Sequence, residues 1–408
     1  MIFDVESFVG RRVTGRSRSL LEADFVRHDA ELRARIDGSR VMVIGGAGSI
    51  GSHYIKSLLR FDIASLCVVD VSENGLTELV RDLRSAGHYR IPKEFTVYPV
   101  DFADPVFSQI LEKRGPFDVV ANFAAHKHVR SEKDVFSIRA MVENNLFRAR
   151  DLLNLLSDHP PRHLFCVSTD KAANPVNVMG ATKKLMEELL LAYARTLPVK
   201  TARFANVAFS NGSLLSGFLE RLNKRQPWAC PVGIKRFFVS PVESGELCLM
   251  ASIMGPTGSI VFPKLDENRD LISFDQIARD LLNELGLDVD ACRDEAEALA
   301  KMEAVKRSQT GGRIAWPVHF VESDTSGEKA FEEFHTADEA VDFSQFVSLG
   351  VITRTEALAP PEIDAIFDAL RSVIESDNAT KADVVAVLQK VVPTFEHFET
   401  GRNLDQKM

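Results

Sequence analysis

Residues 41–51 read VMVIGGAGSIG, an apolar, β-rich run that ends in glycines spaced G-x-x-G-x-x-G. In this pattern Gly45 permits a tight turn after the strand and Gly48 lets the backbone approach a pyrophosphate. Gly51 allows the following helix to pack close to the strand. The stretch therefore predicts a strand, turn and helix that bind a dinucleotide, and the alternative is an ordinary strand-to-helix turn.

An acidic residue supports the dinucleotide interpretation. Asp70 ends the second apolar strand, 19 residues beyond Gly51. A carboxylate there accepts hydrogen bonds from the adenosine ribose and repels a 2′-phosphate, so the sequence predicts NAD rather than NADP. The pyrophosphate would lie on the helix N-terminus at Ser49 and Ile50.

Two further segments are predicted to line the cofactor cleft. Asp101 and Phe102 follow the third strand, where Asp101 is placed to meet the adenine edge or, alternatively, to form a turn. Ala124 opens the segment after the fourth strand. Lys127 and His128 follow it, and two alternatives stand for them: a structural role, or a position facing cofactor or substrate.

Apolar β-rich runs alternate with amphipathic helices from residue 41 onward, a pattern typical of a parallel sheet with helices on both faces. The predicted strands are Val41 to Ile44, Ser65 to Asp70, Glu94 to Val100, Val119 to Phe123, His163 to Ser168 and Val199 to Val207. We therefore predict an α/β fold, a Rossmann-type doubly wound parallel sheet with a smaller interleaved substrate-binding lobe.

The chain of 408 residues is long enough for two domains with extensions. We predict an N-terminal extension at 1–38, the NAD-binding domain at 39–207 with a strand returning near 258–263, a substrate-binding lobe at 208–335 and a C-terminal helical extension at 336–408. One helical face of that extension, with Ile363, Ile366, Phe367 and Leu370, suits either a subunit contact or intramolecular packing.

Composition excludes several classes of function. With 45% hydrophobic and 26% charged residues the chain should fold, and its net charge of −9 argues against a broad nucleic-acid or membrane surface. Five scattered cysteines without a C-x-x-C pair suit neither disulfides nor a zinc site, so we expect reduced thiols and no metal. The absence of a signal-type or membrane-spanning segment predicts a cytoplasmic protein without membrane insertion.

The segment 165–175 reads FCVSTDKAANP and is followed by MGATK at 179–183. It resembles the active-site region of extended short-chain dehydrogenase/reductases, and more narrowly of the bacterial polysaccharide-biosynthesis 4,6-dehydratases that act on UDP-N-acetylglucosamine. Further matching motifs, including AAHKHV at 124–129 and RFANV at 203–207, extend the resemblance over about residues 39–335.

The resemblance implies NAD-dependent oxidation at C4 of the sugar, loss of water across C5 and C6, and return of the hydride to C6. It implies that Asp170 protonates the C6 hydroxyl, Lys171 takes the C5 proton and Thr169 hydrogen-bonds the C4 oxygen. Both Asp170 and Lys171 would need a pKa moved toward neutrality. Lys183 would hold the nicotinamide ribose. The alternative for Asp170 and Lys171 is an exposed ion pair on a surface turn.

Met179 departs from most of these enzymes, because a tyrosine base usually stands four positions before the lysine. A methionine variant occurs in a branch of the same dehydratases, where the resemblance points to retained C5 configuration. Asp170, Lys171 or a water relay are the candidates for removing the C4 hydroxyl proton.

For the nucleotide half, the resemblance implies that Asn206 contacts the diphosphate or sugar and that Arg236 supplies a cation for the diphosphate. The alternative for Arg236 is an ordinary solvated charge. Asp324-Thr325-Ser326 stand before Gly327-Glu328-Lys329, where the family carries an arginine. The resemblance therefore leaves the nucleotide base open.

Three hypotheses follow: a UDP-sugar 4,6-dehydratase, a nucleotide-sugar C4 epimerase, or a non-catalytic NAD-binding scaffold. The adjacent Asp170 and Lys171 favour the dehydratase, and Met179 disfavours the epimerase. The resemblance also implies a homo-oligomer.

Overall fold

The computed structural model describes residues 3–127, 132–307, 313–322, 329, 331–354 and 357–397. The strands in these ranges are β1 Arg40–Ile44, β2 Ser65–Asp70, β3 Glu94–Pro99, β4 Val119–Asn122, β5 His163–Val167, β6 Val199–Ala202, β7 Asn206–Val207, β8 Trp228–Val232, β9 Lys235–Val239, β10 Ser259–Pro263, β11 Leu271–Ser273, β12 Asp288–Cys292, β13 Ala315–Glu322, β14 Val341–Asp342 and β15 Leu349–Thr353.

The helices in the same ranges are α1 Val5–Phe8, α2 Glu22–Ile36, α3 Ser49–Leu58, α4 Glu73–Ala86, α5 Pro105–Arg114, α6 Val135–Val142, α7 Arg148–Ser157, α8 Val178–Tyr193, α9 Leu214–Asn223, α10 Pro241–Met254, α11 Phe274–Glu284, α12 Glu295–Arg307, α13 Pro360–Ile374 and α14 Lys381–Val391. Short π-helical segments occupy Val9–Val13 and Glu143–Phe147.

The main sheet has nine strands in the order β14-β15-β10-β6-β5-β4-β1-β2-β3. The strands from β3 to β10 are parallel, whereas β15 pairs antiparallel with both β10 and the edge strand β14. Strands β1, β2, β4 and β5 are almost continuously buried, as expected for parallel strands covered on both faces. The predicted doubly wound α/β fold is confirmed, including the returning strand β10.

The strand order reverses between β1 and β4, which are direct neighbours. Helices leave opposite faces of the sheet on the two sides of such a point, so a crevice opens at the carboxyl ends of the strands. The glycine turn after β1, Phe123 and Ala124 after β4 and the Asp170 turn after β5 all lie at this edge.

The predicted strand from Val199 to Val207 is wrong as a single element. β6 ends at Ala202, and the chain then leaves the main sheet to form β7 in a separate sheet of order β11-β9-β7. Arg203 follows β6 immediately, and its fully buried guanidinium forms ion pairs with Glu187 and Glu339. A second small sheet, β12-β13-β8, is parallel.

Both chain extensions are part of the folded body. Phe8, Val9 and Val13 share a hydrophobic core with Trp228 and other residues of the two small sheets, whereas α2 packs on the main sheet. At the other end, Phe367 of α13 contacts the Phe147 ring at a centroid distance of 5.4 Å. Of the two alternatives for the C-terminal face, intramolecular packing is therefore observed. The proposed domain boundaries themselves remain predictions.

Candidate active site

The turn between β1 and α3 has the geometry that its glycines predict. Gly45 has φ +72°, and a Cβ there would lie 2.6 Å from the backbone nitrogen of Ala124. A Cβ on Gly51 would lie 2.4 Å from the carbonyl oxygen of Gly45. Gly48 is the residue immediately before α3, which starts at Ser49 and continues through Ile50. The close packing of strand, turn and helix therefore requires glycine at positions 45 and 51.

Asp70 lies beside this turn at the end of β2. Its carboxylate accepts hydrogen bonds from the backbone nitrogens of Ala47, at 2.9 Å, and Ser72, at 2.9 Å. These two bonds hold the carboxylate next to the glycine turn, where it can accept hydrogen bonds from the hydroxyls of a ribose. The turn and Asp70 together fit the adenosine and pyrophosphate portion of a dinucleotide.

The third-strand residues have structural partners. Asp101 accepts a hydrogen bond from the backbone of Ala103 at 3.0 Å and pairs with Arg148 at 2.7 Å, so the turn-forming alternative is observed. Phe102 is buried against Phe107. Ala124 donates its backbone N–H to Asn122 Oδ1 at 3.0 Å.

The residues after β5 form a short 3₁₀ turn, Asp170–Ala172, with Thr169 as its N-cap. Asp170 is only 3% exposed, and its Oδ1 atom lies 3.0 Å from Lys171 Nζ. The Thr169 hydroxyl donates to the same carboxylate at 2.9 Å. The alternative of an exposed ion pair on a surface turn is therefore wrong.

Glu332 is a second carboxylate at Lys171 that sequence reasoning missed. It is 4% exposed, and its Oε1 atom lies 3.9 Å from Lys171 Nζ. Burial raises the pKa of Glu332 above its ordinary value. Glu332 and Lys171 are far apart in the sequence, so no local pattern predicts their contact. The one sequence signal was that Glu332 follows shortly after Gly327-Glu328-Lys329.

The expected shift of the Lys171 pKa toward neutrality is wrong for the free protein. Burial is the largest influence and lowers the pKa, but the carboxylates of Asp170 and Glu332 more than offset it. The net shift is upward because two acids stabilise one ammonium group. Lys171 is therefore held in its protonated form before substrate binds.

Helix α8 brings Met179 and Lys183 to the same region. A Cβ on Gly180 would lie 2.5 Å from the carbonyl oxygen of Lys171, so the first turn of α8 packs directly on the Asp170 turn. Met179 is 2% exposed. Lys183 donates to the carbonyl of Val167 at 3.0 Å, and burial lowers its pKa to about 8.

A buried ion network supports this turn and also escaped sequence reasoning. Arg203 donates to both oxygens of Glu187, at 2.8 and 2.6 Å, and to both oxygens of Glu339, at 2.7 and 2.8 Å. Glu187 also accepts the hydroxyl of Ser168 at 2.7 Å. The network connects β5, α8, β6 and the segment before β14.

The predicted substrate residues are only partly brought together. Asn206 in β7 and Arg236 in β9 lie in one small sheet, and Arg236 is close enough to Lys171 and Glu332 to influence both. Arg236 is 4% exposed, so the solvated-charge alternative is wrong. Lys127 is exposed and donates to the carbonyl of Asn211 at 3.2 Å. His128 lies outside the described residues.

Within the described ranges, no helix has the length and apolar character needed to cross a bilayer. The same part of the chain contains no cluster of His, Cys, Asp and Glu side chains arranged for a metal ion.

Solved structures share this fold across most of the chain. Pen from Bacillus thuringiensis has a TM-score of 0.61 and 18% identity, with coverage of 82% of this chain and 98% of that one. The dTDP-glucose 4,6-dehydratase DesIV of Streptomyces venezuelae has a TM-score of 0.54 and 18% identity, covering 76% and 94%. The UDP-N-acetylglucosamine 4-epimerase of Methanobrevibacter ruminantium has a TM-score of 0.53 and 16% identity, covering 74% and 91%.

The chain is 33% identical over 241 residues to the uncharacterized membrane protein MJ1061 of Methanocaldococcus jannaschii, covering 57% of this chain and 69% of that protein. It is 27% identical over 258 residues to the probable polysaccharide biosynthesis protein EpsC of Bacillus subtilis, covering 61% of this chain and 42% of EpsC. The chain thus matches less than half of the length of EpsC.

Sheet order, glycine turn and the lysine-bearing helix beside the Thr-Asp-Lys turn define a Rossmann-type protein of the extended short-chain dehydrogenase/reductase class. Within that class, the sequence profile of one family matches residues 41–351. The chain belongs to this polysaccharide biosynthesis protein family.

Proposed function

We propose that this protein is an NAD-dependent sugar-nucleotide 4,6-dehydratase that acts on UDP-N-acetylglucosamine. The observation that carries the proposal is the buried contact between Asp170 and Lys171, 3.0 Å apart at the carboxyl end of β5. Elimination of water needs an acid for the C6 hydroxyl and a base for the C5 proton, and these two groups lie side by side.

NAD would be held by the glycine turn, Asp70 and Lys183. When bound, it would accept a hydride from C4 of the sugar and return it to C6. The protein would contribute the cradle, in which a Cβ at position 45 or 51 would meet backbone atoms, and the positive charge of Lys183 beside the nicotinamide ribose. Asp70 would select NAD over NADP by repelling a 2′-phosphate.

Thr169 would donate its hydroxyl to the C4 oxygen, where negative charge develops once the C4 proton has left. Asp170 would take the C4 hydroxyl proton and later give it to the C6 hydroxyl, which then leaves as water. Lys171 would take the C5 proton, which the C4 ketone makes acidic, and return it to C5 at the end. Arg236 and Asn206 would bind the diphosphate end of the substrate.

A C4 epimerase is the second candidate, because one solved relative in fold is a UDP-N-acetylglucosamine 4-epimerase. It shares C4 oxidation with the dehydratase but needs no acid at C6. Met179 disfavours it, since a thioether cannot serve as the base that a tyrosine supplies. An intact Asp170, Lys171 and Lys183 set argues against the third candidate, a non-catalytic scaffold.

The test is incubation of the purified protein with UDP-N-acetylglucosamine in deuterated water, followed by NMR and mass spectrometry. We expect loss of one water and solvent deuterium at C5, both abolished by Lys171→Ala. Lys301→Ala is the matched control, because Lys301 in α12 pairs with Asp290 in β12 at 2.6 Å and has no part in the proposed mechanism. A C4 epimer of unchanged mass would instead establish the epimerase, and no reaction with several nucleotide sugars would favour the scaffold.

A further inference from the structure

Lys171 lies between two buried carboxylates that come from distant parts of the sequence. Asp170 Oδ1 is 3.0 Å from Lys171 Nζ and Glu332 Oε1 is 3.9 Å from it. Both carboxylates are less than 5% exposed, whereas the Lys171 side chain is 19% exposed. The ammonium group is therefore open to the site on one side and in contact with acids on the others.

Lys171 must lose a proton before it can act as a base. A lysine that removes the C5 proton must be uncharged, but the two carboxylates hold the free protein's Lys171 in its charged form. Asp170 cannot take the lysine proton if it is to take the C4 hydroxyl proton and pass it to C6. The remaining carboxylate at Lys171 among the described residues is Glu332.

Glu332 is suited to hold a proton. Burial is the largest influence on its pKa and raises it. The charged groups that influence it are Lys171 and Asp170 from the turn after β5, Arg236 from β9 and Lys329 from its own segment. Because little water reaches this carboxyl group, burial disfavours its charged form, and it accepts a proton more readily than an exposed glutamate does.

We propose that Glu332 receives the Lys171 proton within the site and thereby allows Lys171 to act as the base. This inference rests on the proposed dehydratase function. Glu332 acts through Lys171 and not on the sugar, so it is a positioning residue for the proton. The proton passes from Lys171 Nζ to Glu332 Oε1, which are 3.9 Å apart, after a small approach of the two side chains or through one bridging water, and the net charge of the pair is unchanged.

Asp170, Lys171 and Glu332 all regain their starting protonation states over the reaction cycle. Asp170 gains the C4 hydroxyl proton and loses it to the departing water. Lys171, after giving its proton to Glu332, gains the C5 proton and returns it to C5. Glu332 then gives its proton back to Lys171, so all three groups end in their starting state.

The predicted pH dependence follows from this pair. One shared proton on Lys171 and Glu332 is present over the whole interval between their two pKa values, so the wild-type rate should be flat around neutral pH. Without Glu332, Lys171 must lose its proton to solvent before substrate binds. The rate should then rise with pH about tenfold per unit below the Lys171 pKa.

The test is Glu332→Gln, with Glu333→Gln as the matched control. Glu333 is the adjacent acid, but it is 48% exposed and accepts a hydrogen bond from Asn174 at 2.7 Å. We expect Glu332→Gln to slow C5 deuterium exchange about a hundredfold at neutral pH, with a rate that climbs toward alkaline pH. Transient nicotinamide reduction, which reports C4 oxidation, should stay near wild type, and Glu333→Gln should change neither readout.

Faster C5 exchange at neutral pH in Glu332→Gln would contradict the proposed role of Glu332 as proton acceptor. If Glu332 acts only as a nearby charge, its removal lowers the Lys171 pKa, and C5 exchange at neutral pH should rise. Glu332→Asp keeps a buried carboxyl and serves if the Gln variant fails to fold. We expect it to keep the flat profile at a reduced rate, and an alkaline-rising profile there would contradict the relay.

Failure of the proposed function is distinguishable from failure of this inference. If the wild-type protein yields only a C4 epimer, both are overturned. If the wild-type protein dehydrates the sugar while Glu332→Gln exchanges C5 at the wild-type rate and pH profile, the dehydratase proposal stands and the role of Glu332 is overturned.

Discussion

Ser168 donates its hydroxyl to the carboxylate of Glu187 at 2.7 Å, which joins the end of β5 to the middle of α8 directly beneath the Thr169-Asp170-Lys171 turn. The same carboxylate pairs with Arg203 at 2.6 Å. The turn that carries the proposed acid and base thus rests on a buried ion pair. Its geometry depends on side chains that do not contact the substrate in our proposal.

We expect Arg203→Ala to lower the free energy of unfolding by about 3–5 kcal/mol, because it leaves Glu187 and Glu339 buried without their cation. Arg203 has no exposed surface in its side chain. Arg293→Ala is the matched control, since that side chain is 85% exposed and pairs with Glu297 on the surface. Its cost should be within about 1 kcal/mol in urea denaturation. Equal costs for the two variants would show that the buried network contributes no more than a surface pair.

Gly45 and Gly87 share a φ of +72° but differ in their surroundings. A Cβ on Gly45 would lie 2.6 Å from the Ala124 nitrogen, whereas one on Gly87 would have no atom within 4 Å. We expect Gly87→Ala to cost about 1–2 kcal/mol of stability from backbone strain and to leave NAD affinity unchanged. Gly45→Ala should cost more and abolish NAD binding, measured by calorimetric titration. Wild-type NAD affinity in Gly45→Ala would contradict the proposed cradle.

Met179→Leu should retain most of the dehydratase activity. Met179 is buried, and leucine conserves its volume at a cost below about 1.5 kcal/mol. The proposed mechanism gives the thioether no proton to carry, so kcat should change by less than about tenfold. Lys171→Met in the same assay should show no turnover. A complete loss of activity in a folded Met179→Leu protein would mean that the sulfur takes part in the reaction.

Lys183 should make the stability of the cofactor-free protein depend on alkaline pH. Burial lowers its pKa to about 8, whereas the unfolded chain keeps a pKa near the ordinary 10.5. Between these values the unfolded state binds more protons, so the free energy of unfolding rises with pH through that window. The rise should reach about 3 kcal/mol at most.

Lys183→Met lacks this titration and should show a flatter curve between pH 8 and 10.5, measured by denaturation at several pH values. Lys200, whose pKa burial also lowers to about 8, contributes equally to both proteins. The difference between the two curves therefore isolates Lys183. Parallel curves would mean that folding does not lower the pKa of Lys183.

The C-terminal helices should stabilise the fold as strongly as core elements do. Phe367 is fully buried against Phe147, so Phe367→Ala should cost about 3–5 kcal/mol. Phe136 is 76% exposed, and Phe136→Ala should cost within about 0.5 kcal/mol. Thermal unfolding of both variants checks the comparison. A small effect at Phe367 would indicate that α13 is detached in solution.

Local pattern explains what could be predicted at the cofactor and sugar sites. Gly51 packs against the nearby Gly45 carbonyl, so the glycine spacing predicted this part of the turn, whereas the approach of Gly45 to Ala124 joins segments far apart in sequence. Thr169, Asp170 and Lys171 are adjacent, so the segment that carries them could be recognised in the sequence, but whether their ion pair is exposed stayed open until the structure showed Asp170 buried. In contrast, the strand predicted through Val199 to Val207 continued too far, because the pattern did not show that Arg203 is drawn into a buried ion network.

The amino-acid sequence determined the sheet and the glycine turn, because these depend on periodicity and on neighbours along the chain, and the family resemblance of residues 165–183 supplied the proposed acid and base. Tertiary structure alone decided that Glu332 lies 3.9 Å from Lys171 and that Arg203 joins Glu187 to Glu339. Those contacts join segments far apart in sequence. The pKa of Lys171 follows from them, since a charge responds to the groups around it in space and to its burial.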